Sequence, residues 1–155
     1  MNAGNESPLK VRSARDALAL LARKVYERFG PESLPLIQDV CGKLGRSVGE
    51  RMREDLPDGN LKTVGKAFSE GASRRNNPVD IIELTDTIFH IKGYRCNLGL
   101  KNTYRELCVA MMAMDRGIFE GATGEKIDLK ILRSLAAGDS CCEIVFELSK
   151  WENSV

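Results

Sequence analysis

Alternating hydrophobic and polar residues mark two segments near the end of the chain. Apolar side chains occupy every second position in residues 127–131, and largely the same period recurs in residues 142–148. A period of two is typical of β-strands that bury one face. Gly138 and Asp139 lie between the segments, and both residue types tolerate the positive φ of a hairpin turn. The pattern therefore predicts a β-hairpin with a tight turn at Gly138-Asp139 and with Cys142 on its inner face.

Helical spacing dominates the rest of the chain. Apolar residues at intervals of three and four predict four helices, and the first has Ser13 as its N-cap. The predicted helices span residues 13–29, 32–52, 61–69 and 102–120, and two further strands span residues 79–84 and 87–92. This order predicts an α+β fold with helices packed on one face of a small antiparallel sheet. Residues 1–12 are polar and are expected to form a loose segment before a single ligand-binding domain over residues 13–150.

Composition and charge narrow the possible functions. The chain has 155 residues, of which 43% are hydrophobic, and a net charge of +1. Such a balance produces no field that would attract nucleic acid, and the basic pair Arg74-Arg75 is expected in a solvated loop. No apolar run is long enough to span a bilayer, and the first residues lack the apolar core of a signal peptide. We therefore expect a cytoplasmic protein in which the five cysteines remain thiols.

The candidate chemistry rests on three cysteines and the single histidine. Cys96 lies in an irregular connector, Cys108 on the fourth helix and Cys142 on the last strand, so the fold could bring the three thiols together. Completed by His90 or a carboxylate, they could bind a soft metal such as zinc. Cysteine is also a common core residue, and the position of His90 within its strand favours a solvated or hydrogen-bonded histidine. The sequence has no CxxC pair, HExxH, P-loop or dinucleotide-binding motif.

Glycine and methionine residues indicate where a ligand pocket could lie. Gly42, Gly45 and Gly49 form a stripe on the second helix, although each glycine costs a helix about 1 kcal/mol relative to alanine. The stripe serves either close packing or a ligand lying along the backbone. The methionines of the fourth helix fill either the core or an adaptable pocket. The candidate pocket residues are Gly45, Gly49, Met111, Met114 and Phe146.

Two sequence segments resemble a superfamily of small-molecule-binding domains typified by the 4-vinyl reductase domain. They are LCVAMMAMDRGIFEG on the fourth helix and GDSCCEIVF in the closing strand pair. The upstream segment LARKVYERFGPESLPLIQDVCGKLGRSVGERMRE is similar to the paired helices that open the L-2-amino-thiazoline-4-carboxylic acid hydrolase-like family. The resemblance implies an α+β domain, often dimeric, with a largely apolar pocket between helices and sheet.

The resemblance also implies site residues. Sensory members of the superfamily carry a zinc site of cysteines and a glutamate that ends in the cysteine matching Cys142. The paired ligand would fall near Ser134 or Leu135, and neither is a cysteine. Hydrolase-like members have cysteines that match Cys96 and Cys108. Asp115 is a candidate match for a later acidic position.

Three functions are compatible with these observations. We favour a sensory or carrier domain, expected as a homodimer, that binds a small hydrophobic or thio-compound, because few polar groups could perform acid–base chemistry. The alternative is a hydrolase of a thiazoline-like ring, in which Cys96, Cys108 and Asp115 would be catalytic through a cysteine nucleophile or a cysteine-bound metal. A third possibility is a lipid-pocket adaptor in protein assembly, as in Golgi transport-particle relatives of the same fold.

Overall fold

A four-stranded antiparallel sheet covered on one face by helices is the frame of the structure, a computed structural model that describes residues 10–150. The helices are α1 (Ala14–Phe29), α2 (Leu34–Glu54), α3 (Leu61–Arg74), α4 (Arg105–Met111) and α5 (Ala113–Thr123). The strands are β1 (Val79–Leu84), β2 (Ile88–Gly93), β3 (Ile127–Arg133) and β4 (Cys142–Leu148), in the order β1-β2-β4-β3. The predicted α+β fold is therefore confirmed. Most of the loose segment predicted over residues 1–12 lies outside the described residues.

The last two strands pair as the alternating pattern predicts. β3 is antiparallel to β4, with Leu129 opposite Phe146. The predicted tight turn is wrong, because residues 134–141 form a longer connection that includes a short 3-10 helix. The connection is closed by Ser134, whose backbone N–H donates to Oδ2 of Asp139 at 2.8 Å. Gly138, with a φ of +93°, ends the 3-10 helix in the left-handed conformation that glycine allows.

Helices α2 and α5 cross in direct backbone contact. A Cβ atom built on Gly45 would lie 1.9 Å from the carbonyl oxygen of Met114, and one on Gly49 would lie 2.0 Å from that of Ile118. Glycines of α5 face α2 in the same way, since a Cβ on Gly117 would lie 2.6 Å from the Gly42 oxygen. Gly45 and Gly49 thus let the two helices approach, and this packing offsets the cost of glycine in a helix.

Two helix boundaries differ from the sequence-based prediction. The helix predicted over residues 102–120 is divided at Met112, whose ψ of −9° departs from helical geometry, and it begins later than predicted. Its start is delayed because the Asn102 N–H donates to the Leu135 carbonyl oxygen at 2.9 Å instead of joining a helix. Helix α3 continues beyond its predicted end at residue 69 to Arg74.

Apolar side chains between the helices and the sheet form two adjoining clusters. In one, the rings of Phe68, Phe89, Phe119 and Phe146 pack together, and the centroids of Phe119 and Phe146 lie 4.2 Å apart. The other joins α1, α2 and α4 and contains the methionines of α4 and α5. Within residues 10–150, no helix has the length and hydrophobicity needed to cross a membrane.

Candidate functional site

A cavity of about 130 Å³ lies between the helices and the inner face of the sheet. Helices α3, α4 and the first turn of α5 form one wall, strands β2 and β4 form the opposite wall, and the connector after β2 closes one side. Six of the residues singled out by sequence line this cavity: Cys96, Cys108, Met111, Met114, Asp115 and Cys142. Distant parts of the chain therefore meet at one place.

The cavity also has lining residues that the sequence analysis did not single out. Seven of them have apolar side chains: Phe68, Ala72, Val79, Ile91, Leu98, Met112 and Ile144. The inward positions of β2 and β4 could have been inferred from strand alternation. Ala72 could not, because it lies in the part of α3 that the sequence analysis assigned to a loop.

Two of the three thiols accept hydrogen bonds from the backbone. The Leu100 N–H donates to Sγ of Cys96 at 3.4 Å, and the Leu135 N–H donates to Sγ of Cys142 at 3.5 Å. Cys142 is the first residue of β4 and lies opposite Gly93 of β2, which places its side chain at the cavity. These contacts fix both sulfur atoms at the cavity wall.

Cys108 is the most deeply buried of the three cavity cysteines. The Ser134 hydroxyl donates to its Sγ at 3.7 Å. Burial raises the pKa of the Cys108 thiol to about 11 and also raises the pKa of Cys142. Because the thiolate is the form that attacks electrophiles and binds metals, both side chains are neutral thiols at pH 7 and line the cavity as weakly polar groups.

The predicted metal set is not assembled. His90 lies on the face of the sheet away from the cavity, where its Nε2 is 2.7 Å from Oε2 of Glu143. This matches the hydrogen-bonded interpretation of His90, because strand alternation turns its side chain away from the thiols. Across residues 10–150, no group of three histidine, cysteine, aspartate or glutamate side chains is arranged to hold a metal ion. The residues present therefore do not fit the zinc site of the sensory domains.

Three candidate pocket residues lie elsewhere, which corrects the prediction that they line the pocket. Gly45 and Gly49 face the backbone of α5, where no space remains for a ligand. Phe146 belongs to the phenylalanine cluster, stacked on Phe119. Its strand position directs it inward as predicted, but neighbouring rings fill the space in front of it.

The charged part of the cavity lining consists of arginines and Asp115, and Asn77 and Asn97 add neutral polar groups. Nη2 of Arg15 lies 3.8 Å from Oδ1 of Asp115. Burial raises the pKa of the Asp115 carboxyl, and the positive charges of Arg15 and Arg75 oppose this change. Arg75, which the sequence analysis placed in a solvated loop, instead follows α3 directly and lines the cavity, as does Arg95.

No protein-family model matches the chain, and no curated protein matches it. The predicted membership of the L-2-amino-thiazoline-4-carboxylic acid hydrolase-like family therefore stays a prediction.

Solved structures do resemble this one. The phenol-responsive sensory domain of the transcription activator PoxR, with phenol, has a TM-score of 0.64 and 13% identity over 92% of this chain and 79% of its own. Trafficking protein particle complex subunit 3 from Naegleria fowleri, covalently bound to palmitic acid, has a TM-score of 0.61 and 14% identity over 88% of this chain and 96% of its own.

A third structure is similar to a lesser degree. An H-NOX protein from S. oneidensis in the Fe(II)NO ligation state has a TM-score of 0.54 and 12% identity over 96% of this chain and 83% of its own. At such low identity, likeness shows the fold and not the activity. This protein therefore shares its α+β fold with three structures that hold different ligands. One holds phenol, one is covalently bound to palmitic acid, and one is in an Fe(II)NO ligation state.

Proposed function

We propose that this protein is a small-molecule-binding domain whose ligand has an apolar body about the size of one six-membered ring. The observation that carries the proposal is the cavity of about 130 Å³, lined mainly by aliphatic, methionine and thiol side chains. An engineered apolar cavity of about 150 Å³ in another protein binds benzene. A molecule the size of benzene therefore fits the volume of this cavity.

The structural relatives support this choice of ligand size. The PoxR domain binds phenol, which has a single ring, whereas the trafficking subunit carries palmitic acid. A palmitoyl chain is much longer than a ring, and the cavity here is small for it. This favours a sensory or carrier role over the lipid-pocket adaptor.

The hydrolase alternative receives less support from the site. A cysteine nucleophile needs a lowered pKa, but burial raises that of Cys108 to about 11. Asp115, the other catalytic candidate, is paired with Arg15. A metal-dependent route would need a ligand set that residues 10–150 do not form. The arrangement suits holding a molecule better than cleaving it.

We further propose that the domain is a cytosolic homodimer that pairs through the outer faces of α1 and α2. Four large apolar side chains on these helices are mostly exposed: Leu21 (58%), Phe29 (67%), Leu36 (69%) and Val40 (53%). Exposed apolar patches commonly mark interfaces, and identical chains commonly pair about a two-fold axis. The proposed cytosolic location is a reducing compartment, in which the five cysteines are expected to remain thiols.

Ligand binding in the cavity is tested with a variant whose larger side chain fills the cavity. Ala72 lines it and is 4% exposed, so Ala72→Leu should occupy the space of the ring. The control is Ala67→Leu on the same helix, at a half-buried position outside the cavity. Binding of phenol, toluene, benzamide and benzoate is followed by NMR chemical-shift titration, which also reports whether each variant is folded.

We expect wild-type protein and Ala67→Leu to bind compounds of this panel and folded Ala72→Leu to lose that binding. Failure of the wild-type protein to bind any of the four compounds would overturn the proposed function. Equal binding by the folded Ala72→Leu variant would place the ligand somewhere other than this cavity.

A further inference from the structure

The charges around the cavity do not balance. Three arginines line it, Arg15, Arg75 and Arg95, and Asp115 is the only carboxylate among the lining residues. One arginine is therefore matched by Asp115, and two positive charges remain in excess. The overall charge of the chain is only +1, so this concentration is local and does not reflect a basic protein.

Separate parts of the chain bring these arginines together. Arg15 lies in the first turn of α1, Arg75 follows α3, and Arg95 lies in the connector after β2. Nη1 of Arg95 donates to the carbonyl oxygen of Asn76 at 3.0 Å, which holds Arg95 beside the turn that carries Arg75. Nη2 of Arg15 lies 3.8 Å from Oδ1 of Asp115, which also lines the cavity. The fold thus gathers three cations around one cavity.

Arg75 lies close to the other charges of the cavity but, within residues 10–150, forms no ion pair of its own. Within the described part of the chain, no carboxylate oxygen comes within 4.0 Å of its guanidinium group. Burial lowers the pKa of Arg75, the positive charge of Arg15 lowers it further, and the Asp115 carboxylate opposes the change in part. Bringing like charges together in a partly desolvated place is unfavourable. A ligand anion bound beside Arg75 would reduce the repulsion between these positive charges.

The inner part of the cavity has no comparable polar anchor. Every buried side-chain nitrogen or oxygen atom in residues 10–150 already has a hydrogen-bond partner. Met111, Cys108 and Ile144 surround the inner space with apolar and sulfur groups, and sulfur makes favourable contacts with aromatic rings. A bound molecule would therefore place its apolar body here and its polar group among the arginines.

We infer that the ligand is a carboxylate with a ring-sized apolar body, and that Arg75 binds its carboxylate group, with Arg15 beside it. This rests on the proposed function, since it names the chemical class of the ligand for the same cavity. The planar guanidinium fork binds a carboxylate through two parallel hydrogen bonds. Arg95 adds a third positive charge near the bound anion.

The test compares two probes of nearly the same shape, benzoate and the uncharged benzamide, by isothermal titration calorimetry at pH 7. Wild-type protein should bind benzoate at least about tenfold more tightly than benzamide, because hydrogen bonds to charged groups are the stronger kind. In Arg75→Gln the preference should disappear, because benzoate loses the charged hydrogen-bond donor that distinguishes it from benzamide. The matched control is Arg28→Gln, an exposed residue of α1 outside the cavity, which should keep the preference.

A second measurement uses the wild-type protein alone and so does not depend on a variant that folds. Benzoate affinity should fall as salt rises, whereas benzamide affinity should not, since salt screens charge interactions. Equal affinity for the two probes in wild-type protein, or a preference that survives in Arg75→Gln, would overturn the inference and leave the proposed function standing. Absence of binding by both these probes and the neutral rings would overturn the proposed function as well.

Discussion

At the scale of single residues, the structure changes the meaning of the cysteines. Cys96, Cys108 and Cys142 meet at one cavity, as their positions in sequence allowed. Burial raises the pKa values of Cys108 and Cys142, which makes them neutral lining groups at pH 7. The chemistry of a thiol is therefore decided by its surroundings and not by its presence in a motif.

These thiols should make the stability of the protein fall at alkaline pH. Burial raises the pKa of Cys41, Cys108 and Cys142 in the folded state, with Cys108 at about 11. Above about pH 8.5 the unfolded chain releases thiol protons that the folded chain retains, which favours unfolding. We expect Cys108 alone to lower the free energy of unfolding by about 2 kcal/mol between pH 7 and pH 10.

The measurement is urea denaturation at pH 7, 8.5 and 10 under reducing conditions. Cys108→Ala is the matched comparison, and its stability should fall less steeply over the same range. The same slope in both proteins would show that Cys108 titrates at a similar pH in the folded and unfolded states.

At the scale of elements, the contact between α2 and α5 tolerates no side chain at two glycine positions. Gly45 and Gly49 lie where a single methyl group would collide with backbone atoms that cannot rotate away. Gly42 belongs to the same stripe but has room, because a Cβ there would lie 4.0 Å from the Cβ of Ala113. Glycines of one stripe thus have different structural roles.

Alanine substitutions should separate these roles. Gly45→Ala and Gly49→Ala should each destabilise the protein by about 1–3 kcal/mol or more, because the helices must move apart. Gly42→Ala should be neutral or stabilise by up to about 1 kcal/mol, because alanine has the higher helix propensity. Thermal and urea denaturation measure the change. Equal destabilisation at all three positions would contradict the close crossing of the helices.

At the scale of the whole molecule, one face of the helical layer remains uncovered. Leu36 and Val40 lie one turn apart on α2 and are 69% and 53% exposed, and α1 carries two further exposed apolar side chains, Leu21 and Phe29. The opposite surface of the sheet carries charged pairs such as Lys130 with Glu147. The two sides of the molecule therefore differ in how readily they would bind another protein.

We expect the protein to be a dimer at micromolar concentration and Leu36→Glu together with Val40→Glu to make it monomeric. Charged side chains in an apolar interface are costly when they lose water. Light scattering coupled to size-exclusion chromatography measures the mass. Ile82→Glu, at an exposed position of the edge strand β1, is the control and should remain dimeric. A monomeric wild-type protein would contradict the proposal.

The sequence by itself determined the elements that depend on local pattern. Alternation of apolar residues located β3 and β4 and the inward direction of Cys142, because a strand turns successive side chains to opposite faces. The same rule directed His90 away from the thiols. Element order then sufficed for the α+β class, and helical spacing located α1 and α2 to within a few residues.

Only the tertiary structure decided what each of these residues contacts. The stripe of Gly45 and Gly49 was compatible with a ligand or a helix, and only the position of α5 resolved that choice. Arg15 and Arg75 are far apart in sequence, so no local period could show that they line one cavity. Burial, charge and cavity shape arise from contacts between distant segments, and these are the properties on which ligand binding depends.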